Sequence, residues 1–327
     1  MNTLSQITIN RTSPDKWKQD ITRSVDLYNS WFMEFAPKAF RETRLVTAER
    51  VEQALKATNN LVNISCELLK RHPEVLPILR MSTCPPIARD RLVGLAGVSK
   101  TLVGSMEDSS NPRLPPRIAI ETLNNDLERI CGIIRKMADP DIFVWLNRNE
   151  VATEIEISRA ATIVADRLCG AVSDPIIRNA QEKRQLKAIG DWLQARGYRY
   201  VEGIKFSDME VGTYSFRTNV PVAISGADET AQVNIPVDVA IMPIKSHEGE
   251  LPLFIEAKSA GDFTNVNKRR KEEAQKMAQL RNTYGDDVKF GLFLCGYFDS
   301  GYLGYEAAEG IDWVWEHRID DLALYGL

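Results

Sequence analysis

The spacing of the apolar residues changes partway along this 327-residue chain, and that change restricts the possible folds more than any other feature. Before about residue 195 they recur every three or four positions, the period of a helix with one buried face. Val51, Leu55, Leu61, Val62, Leu68 and Leu69 form one such stripe, and Ile120, Leu123, Leu127, Ile130, Ile134 and Met137 form another. Ser13-Pro14-Asp15 supplies a capping residue, a proline and an acid in the order that opens a helix. Thr83-Cys84-Pro85-Pro86, Asn111-Pro112 and Pro115-Pro116 mark breaks between helices. Ser173-Asp174-Pro175 reads as one more start, for a helix from about Ile176 to Ala195 that ends at Gly197. After it come runs with the composition and alternation of strands: TYSFRTNVPVAI, TAQVNIPVDVAIMP, LPLFIEAK, VKFGLFLCGYF and IDWVWEHRI. Helix, several strands, helix, strand is the order of an α/β (α+β) domain with a mixed central sheet flanked by helices. The expected division is a large all-helical N-terminal domain over 1–172 and a sheet-containing domain over 173–327.

Composition narrows the function classes. The formal net charge is −4, too acidic for a protein held on nucleic acid by its overall field. Residues 1–172 carry 23 basic and 21 acidic side chains, and the remainder 18 and 24, so any DNA-binding surface must come from local clusters. Five scattered cysteines without a C-x-x-C pair argue against a disulfide framework or a zinc site, and three histidines in no ligand spacing argue against a histidine-held metal. A metal here would be a hard cation on carboxylates. No apolar run approaches the roughly 20 residues of a membrane span, and the first residues lack a signal-peptide layout. The expected location is cytoplasmic.

Within LPLFIEAKSAGDFTNVNKRRKEEAQKM, Leu251 to Met277, an apolar run ends in Glu256-Ala257-Lys258. Alternate residues of a strand share a face, so Glu256 and Lys258 point the same way. Asp238 lies in the preceding strand, and two adjacent strands would bring it beside Glu256, the three converging at one edge of the sheet. Two neighbouring carboxylates repel unless a divalent cation sits between them. A lysine two residues on would orient a water beside that cation, which is the equipment for metal-assisted phosphodiester hydrolysis. The competing reading is plain: Glu-x-Lys on a strand is often only an exposed salt bridge worth about 0.5 kcal/mol. Glu182 falls in line with Leu186, Ile189 and Leu193, so it either faces the sheet as a third acid or is a charge near a helix start. The cluster Asn265, Asn267, Lys268, Arg269, Arg270 and Lys271 follows the triplet closely. It is either a solvated helix face paired with Glu272 and Glu273, or a DNA contact with side chains suited to phosphates and base edges. Arg89 and Arg91, in PPIARDRLVGLAGV, are further candidate phosphate contacts.

Asp238, Glu256-Ala257-Lys258 and the preceding Glu182 helix resemble the PD-(D/E)XK nuclease superfamily over about residues 175–296. AKSAGDFTNVNKRRKEEA, CPPIARDRLVGLAGV and DWVWEHRIDDL together resemble the XamI-like family of type II restriction endonucleases, and this likeness touches both halves of the chain. It implies a restriction-endonuclease-like core, a helical N-terminal region for DNA embrace or dimerisation, and Mg2+-dependent cleavage of double-stranded DNA at a short palindrome. It also implies a homodimer and a companion DNA methyltransferase. Carried over, Asp238 and Glu256 are the metal ligands, Lys258 positions the attacking water, and Glu182 is the least firmly placed. The "PD" is split here as Pro236-Val237-Asp238. Two alternatives remain open from the residues: a structure-specific repair or recombination nuclease of the same superfamily, and a non-cleaving DNA-binding module.

Overall fold

The computed structural model describes residues 8–148, 150–223, 232–247, 249–264 and 266–327. Its helices are α1 (Pro14–Ala57), α2 (Cys66–Arg71), α3 (Leu76–Met81), α4 (Arg89–Ala96), α5 (Lys100–Met106), α6 (Ile120–Met137), α7 (Glu154–Gln194), α8 (Val266–Tyr284) and α9 (Ser300–Ala308). The strands are β1 (Arg199–Tyr200), β2 (Thr213–Ala223), β3 (Gln232–Ile241), β4 (Leu253–Ala260), β5 (Phe290–Gly296) and β6 (Asp312–Trp315). They form one mixed sheet in sequence order. β2, β3 and β4 are antiparallel neighbours, whereas β1 pairs parallel with β2, and β4, β5 and β6 run parallel. The parallel steps from β4 to β6 are made by α8 between β4 and β5 and by α9 between β5 and β6, as parallel pairing requires.

The sheet is covered on both faces. Trp17, Met277, Leu280, Tyr302 and Leu303 form one layer with Phe254, Leu292, Leu294, Trp313 and Trp315. Leu186, Ile189 and Leu193 of α7, with Leu322 and Tyr325, form the other with Ile255, Phe293 and Val314. Alternation along β2 breaks once. Tyr214 and Phe216 belong to the α7 layer, yet Val220 and Val222, at even spacing from them, belong to the α8 layer. Val239 and Val237 of β3 part in the same way. Between these halves Arg217 adopts a left-handed φ of 52°, which an L side chain rarely takes. The flanking pairs Phe216–Val239 and Thr218–Val237 place Arg217 across from Asp238. The hairpin thus turns over at the level of Asp238 with its register unchanged.

The chain divides into two compact units, residues 36–177 and residues 1–35 with 178–327. The first is helical around Val51, Leu69, Leu79, Leu102, Leu127 and Val164. The expected boundary at 172 lies close to one junction, but the first 35 residues go with the sheet. Asp312, buried at the start of β6, accepts the backbone N–H groups of Ile9 at 2.5 Å, Asn10 at 2.9 Å and Arg11 at 3.1 Å. The Asn10 amide donates to the Trp313 carbonyl at 2.8 Å, and Trp17 packs edge-on against Trp313. Asp20 bonds Arg318 at 2.8 Å. These partners lie about 300 positions away, so local patterning holds no trace of them.

Two expected helix boundaries move. The 51–69 stripe is cut after Ala57 by Asn59, Asn60 and Leu61, all at positive φ, before Ser65 caps α2. Asparagine tolerates this conformation, and Thr58 anchors the turn by bonding the Ala54 carbonyl and receiving the Leu61 N–H. Ser173-Asp174-Pro175 starts no helix, because α7 runs through Pro175 for 41 residues. The proline removes one backbone donor, but buried Val164, Ala165, Leu168 and Cys169 before it, and Leu186 and Ile189 after it, anchor both sides.

Asp312→Ala leaves three N-terminal amides without their acceptor and is expected to destabilise the protein by about 3 kcal/mol, measured by urea unfolding. Glu306 of α9 gives a pH test. Its carboxyl is fully buried, and burial, then the Glu273 carboxylate, push its pKa up to about 8, outweighing the opposing Tyr302 hydrogen bond. Between the ordinary value of 4.5 and about 8 the folded state keeps a proton that the unfolded chain releases, so this contribution is complete below 4.5 and is lost as pH rises to about 8. Glu306→Gln lacks that loss. Its stability relative to wild type should grow from pH 5 to pH 8 by up to about 1.4 kcal/mol per pH unit, and a constant difference would refute the buried acid's titration.

Candidate active site

β3 and β4 pair from Ile241–Leu253 through Ala240–Phe254 to Val239–Ile255, and there the ladder ends. Asp238 and Glu256 are the next residues on the two strands, one on each side of the fork. The Asp238 Oδ2 reaches across and accepts the Ala257 N–H at 2.8 Å. The constellation therefore sits at a fork between two interior strands, not at the edge of the sheet, because β5 and β6 continue the sheet beyond β4.

Glu256 and Lys258 share the face covered by α8. The Lys258 Nζ lies 3.1 Å from Glu256 Oε1 and 3.2 Å from Glu273 Oε1. Lys276 of α8 holds the other oxygen of Glu256 at 2.8 Å and also donates to the Pro236 carbonyl at 2.7 Å. The side chains of Glu256 and Lys258 are 8% and 18% exposed, which excludes the reading as an ordinary surface salt bridge. From the α7 side, the buried Gln185 amide bonds the backbone carbonyls of Lys258 and Phe293, both at 3.3 Å, and so fixes the strand beneath the lysine.

Burial, and next the Glu256 carboxylate, push the Asp238 carboxyl up to about 6, against the Ala257 N–H bond and the two lysines. For Lys258, burial is the largest influence and works against the charge, but Glu256 and Glu273 outweigh it and the pKa is raised. Two partly desolvated carboxylates, one of them raising the pKa of the other, are a donor set that suits a hard divalent cation. Among the described residues no group of three His, Cys, Asp or Glu side chains converges as a ready-made ligand set.

Glu182 is not part of this cluster. It is half-buried on α7, and its Oε1 receives the Arg217 Nη2 at 2.7 Å and Nε at 3.1 Å. The inward positions on this turn are Gln181 and Gln185, one residue out of phase with the stripe expected from the sequence. Its carboxylate therefore steadies the arginine at the turned-over level of β2. Of the basic cluster, Asn265 lies outside the described residues, as do the side chains of Asn267, Lys268, Arg269 and Arg270 on the first turn of α8. Lys271 is exposed. Arg89 and Arg91 are exposed on α4, in the helical unit. Of the two glutamates expected to pair along the helix surface, Glu272 is exposed but Glu273 turns inward to Lys258.

Glu273 and Lys276 are the residues the sequence reading missed. A signal existed: Val266, Glu273, Met277 and Leu280 lie seven, four and three apart, and all four are buried. An acid on that stripe faces the sheet. The flanking charges drew attention away from it.

Residues 59–315 match the model of the XamI restriction endonuclease family. The type II restriction enzyme SalI of Streptomyces albus G is 53% identical over 321 residues, covering 97% of this chain and 99% of SalI. A solved structure, protein VC1899 from Vibrio cholerae, aligns at 14% identity over 84% of this chain and 55% of its own, with a TM-score of 0.27, too low to bear on the fold. No helix among the described residues is long and apolar enough to cross a membrane. The family does not favour the repair-nuclease and non-cleaving readings, and half-buried Asp238 and Lys258 and buried Glu256 lie inside the matched region. With a family match over most of its length and a relative identical at half its positions, the chain belongs to the XamI restriction endonucleases and is a site-specific DNA-cleaving hydrolase.

Proposed function

We propose that this enzyme is a type II restriction endonuclease of the PD-(D/E)XK kind that hydrolyses phosphodiester bonds in double-stranded DNA at a short palindrome, with Asp238, Glu256 and Lys258 as its hydrolytic centre. The observation that carries the reading is the fork: two carboxylates on diverging strands, with a half-buried lysine 3.1 Å from one of them. Asp238 and Glu256 would hold Mg2+. Bound there, the ion supplies Lewis-acid polarisation of the phosphate and charge stabilisation as the bond breaks. The Lys258 ammonium aims the attacking water and steadies developing negative charge. Asp238 keeps one oxygen on the Ala257 N–H and has the other to offer. Glu256 has both oxygens on lysines, so it would exchange Lys276 or Lys258 for the metal.

A palindrome presents the same chemistry to two symmetric subunits, which favours a homodimer cutting one strand with each copy. The helical unit suits dimerisation or DNA embrace, with Arg89 and Arg91 as phosphate contacts. The cluster Asn265, Asn267, Lys268, Arg269, Arg270 and Lys271 lies next to the hydrolytic centre in sequence, just ahead of Glu273 and Lys276, and suits contact with the same DNA. A sequence-specific nuclease in the cytoplasm needs its host's own sites protected, hence a companion DNA methyltransferase.

Binding and cleavage should separate. Lys258→Ala keeps both carboxylates, so it should bind a specific duplex in Ca2+ as wild type does while cleavage in Mg2+ falls at least about a hundredfold. Asp238→Ala should lose metal binding together with cleavage. Gel-shift and nicking assays on one duplex measure both, and Lys258→Ala cutting at the wild-type rate would return the triplet to a structural ion pair. For the basic cluster, Arg269→Ala and Arg270→Ala should weaken binding. Loss on all sequences, with the salt slope reduced by about one, identifies phosphate contact, and relaxed preference at one base pair identifies readout. Unchanged affinity and slope would assign the cluster to solvent.

A further inference from the structure

Among the described residues, the strongest feature that the proposed hydrolytic centre does not use is a pair of buried acids behind it. Glu273 of α8 is 1% exposed and Glu306 of α9 is fully buried. A carboxylate removed from water costs several kcal/mol unless it is compensated, and a leucine at either position would pack at no such cost. Packing alone therefore does not account for two acids in one apolar layer. The ion pair does: the Glu273 carboxylate lies 3.2 Å from the Lys258 Nζ, on α8, whereas the lysine's other partner, Glu256, is on its own strand.

We propose that Glu273 is a positioning residue that holds the Lys258 ammonium in place for the attacking water. The proposal rests on the reading of Lys258 given above. A lysine is a point charge on a flexible four-carbon stem and does not orient itself. Its contact with Glu256 is shared with a carboxylate that would also serve the metal, so that contact cannot be its permanent anchor. Glu273 has no such second duty. Burial and the Glu273 charge push the pKa of Glu306 up to about 8. Near pH 7 it stays neutral, so a second acid stands beside Glu273 without adding a second negative charge. The charged groups that act on Glu273 are Lys258 and Glu256, both from β4.

The test is single-turnover cleavage in Mg2+ and specific-duplex affinity in Ca2+ for Glu273→Gln, Lys258→Ala and the double variant. Glu273→Gln keeps the shape and removes the charge. It should slow cleavage by roughly 10–100-fold, the usual effect of losing an orienting partner, while affinity stays within about twofold of wild type. On the Lys258→Ala background the same change should cost less than about twofold, since coupled residues do not add. If Glu273→Gln does not fold, Glu273→Asp, which keeps the charge but shortens the reach, should show the same split between rate and affinity. Wild-type cleavage by Glu273→Gln beside an inactive Lys258→Ala would overturn this inference and leave the hydrolytic centre standing. So would losses that multiply in the double variant, or equal losses of rate and affinity. Wild-type cleavage by Lys258→Ala would instead remove the reading on which it rests.

Discussion

Glu256 is a buried carboxylate gripped by two ammonium groups, and the geometry of the sheet domain is arranged around making that burial affordable. Lys258 takes one oxygen from the same strand, and Lys276 takes the other from α8. Neither lysine is fully exposed, so each contact acts in a medium of lower polarity than water and is stronger for it. A buried ion cluster of this kind adds little net stability, and losing one member leaves an uncompensated charge. Its value is positional. It fixes α8 against β4, and α8 in turn carries Glu273 to the far side of Lys258.

The fork between β3 and β4 serves the same end. A ladder that continued past Val239–Ile255 would tie up the backbone of both strands and bring the two side chains together on a continuous sheet. It opens instead, and the Asp238 carboxylate replaces the missing pairing with one bond to the Ala257 N–H. The left-handed residue at Arg217 lies one strand further out, where the hairpin turns over. Strain and broken pairing are thus confined to the level of the sheet that carries the acids, a common place for them in enzymes. Glu182 accepts from the arginine there, away from the cluster around Glu256. The chain's membership of the restriction endonuclease family makes it a DNA-cleaving hydrolase, and metal-assisted hydrolysis is chemistry that a pair of acids beside a lysine could serve.

The sequence by itself determined the helical and sheet halves, five of the six strands, and the candidates Asp238, Glu256 and Lys258. Those features are written in short-range periodicity: period 3.6 or 2, punctuation by proline, and a polar triplet ending an apolar run. The tertiary structure decided the rest. The first 35 residues join the sheet unit because Asp312 and Trp313 bind them, and no local pattern records partners about 300 positions apart. α7 passes through Pro175 because packed residues on both sides outweigh one lost hydrogen bond. Glu273 and Lys276 join the site because helix phase turns two members of a charged run inward, and Glu182 leaves it because the same kind of phase is shifted by one residue. A charge pattern gives the residues available, but which of them face one another is set by how a helix is rotated against its sheet, and that rotation is fixed only when the whole layer packs.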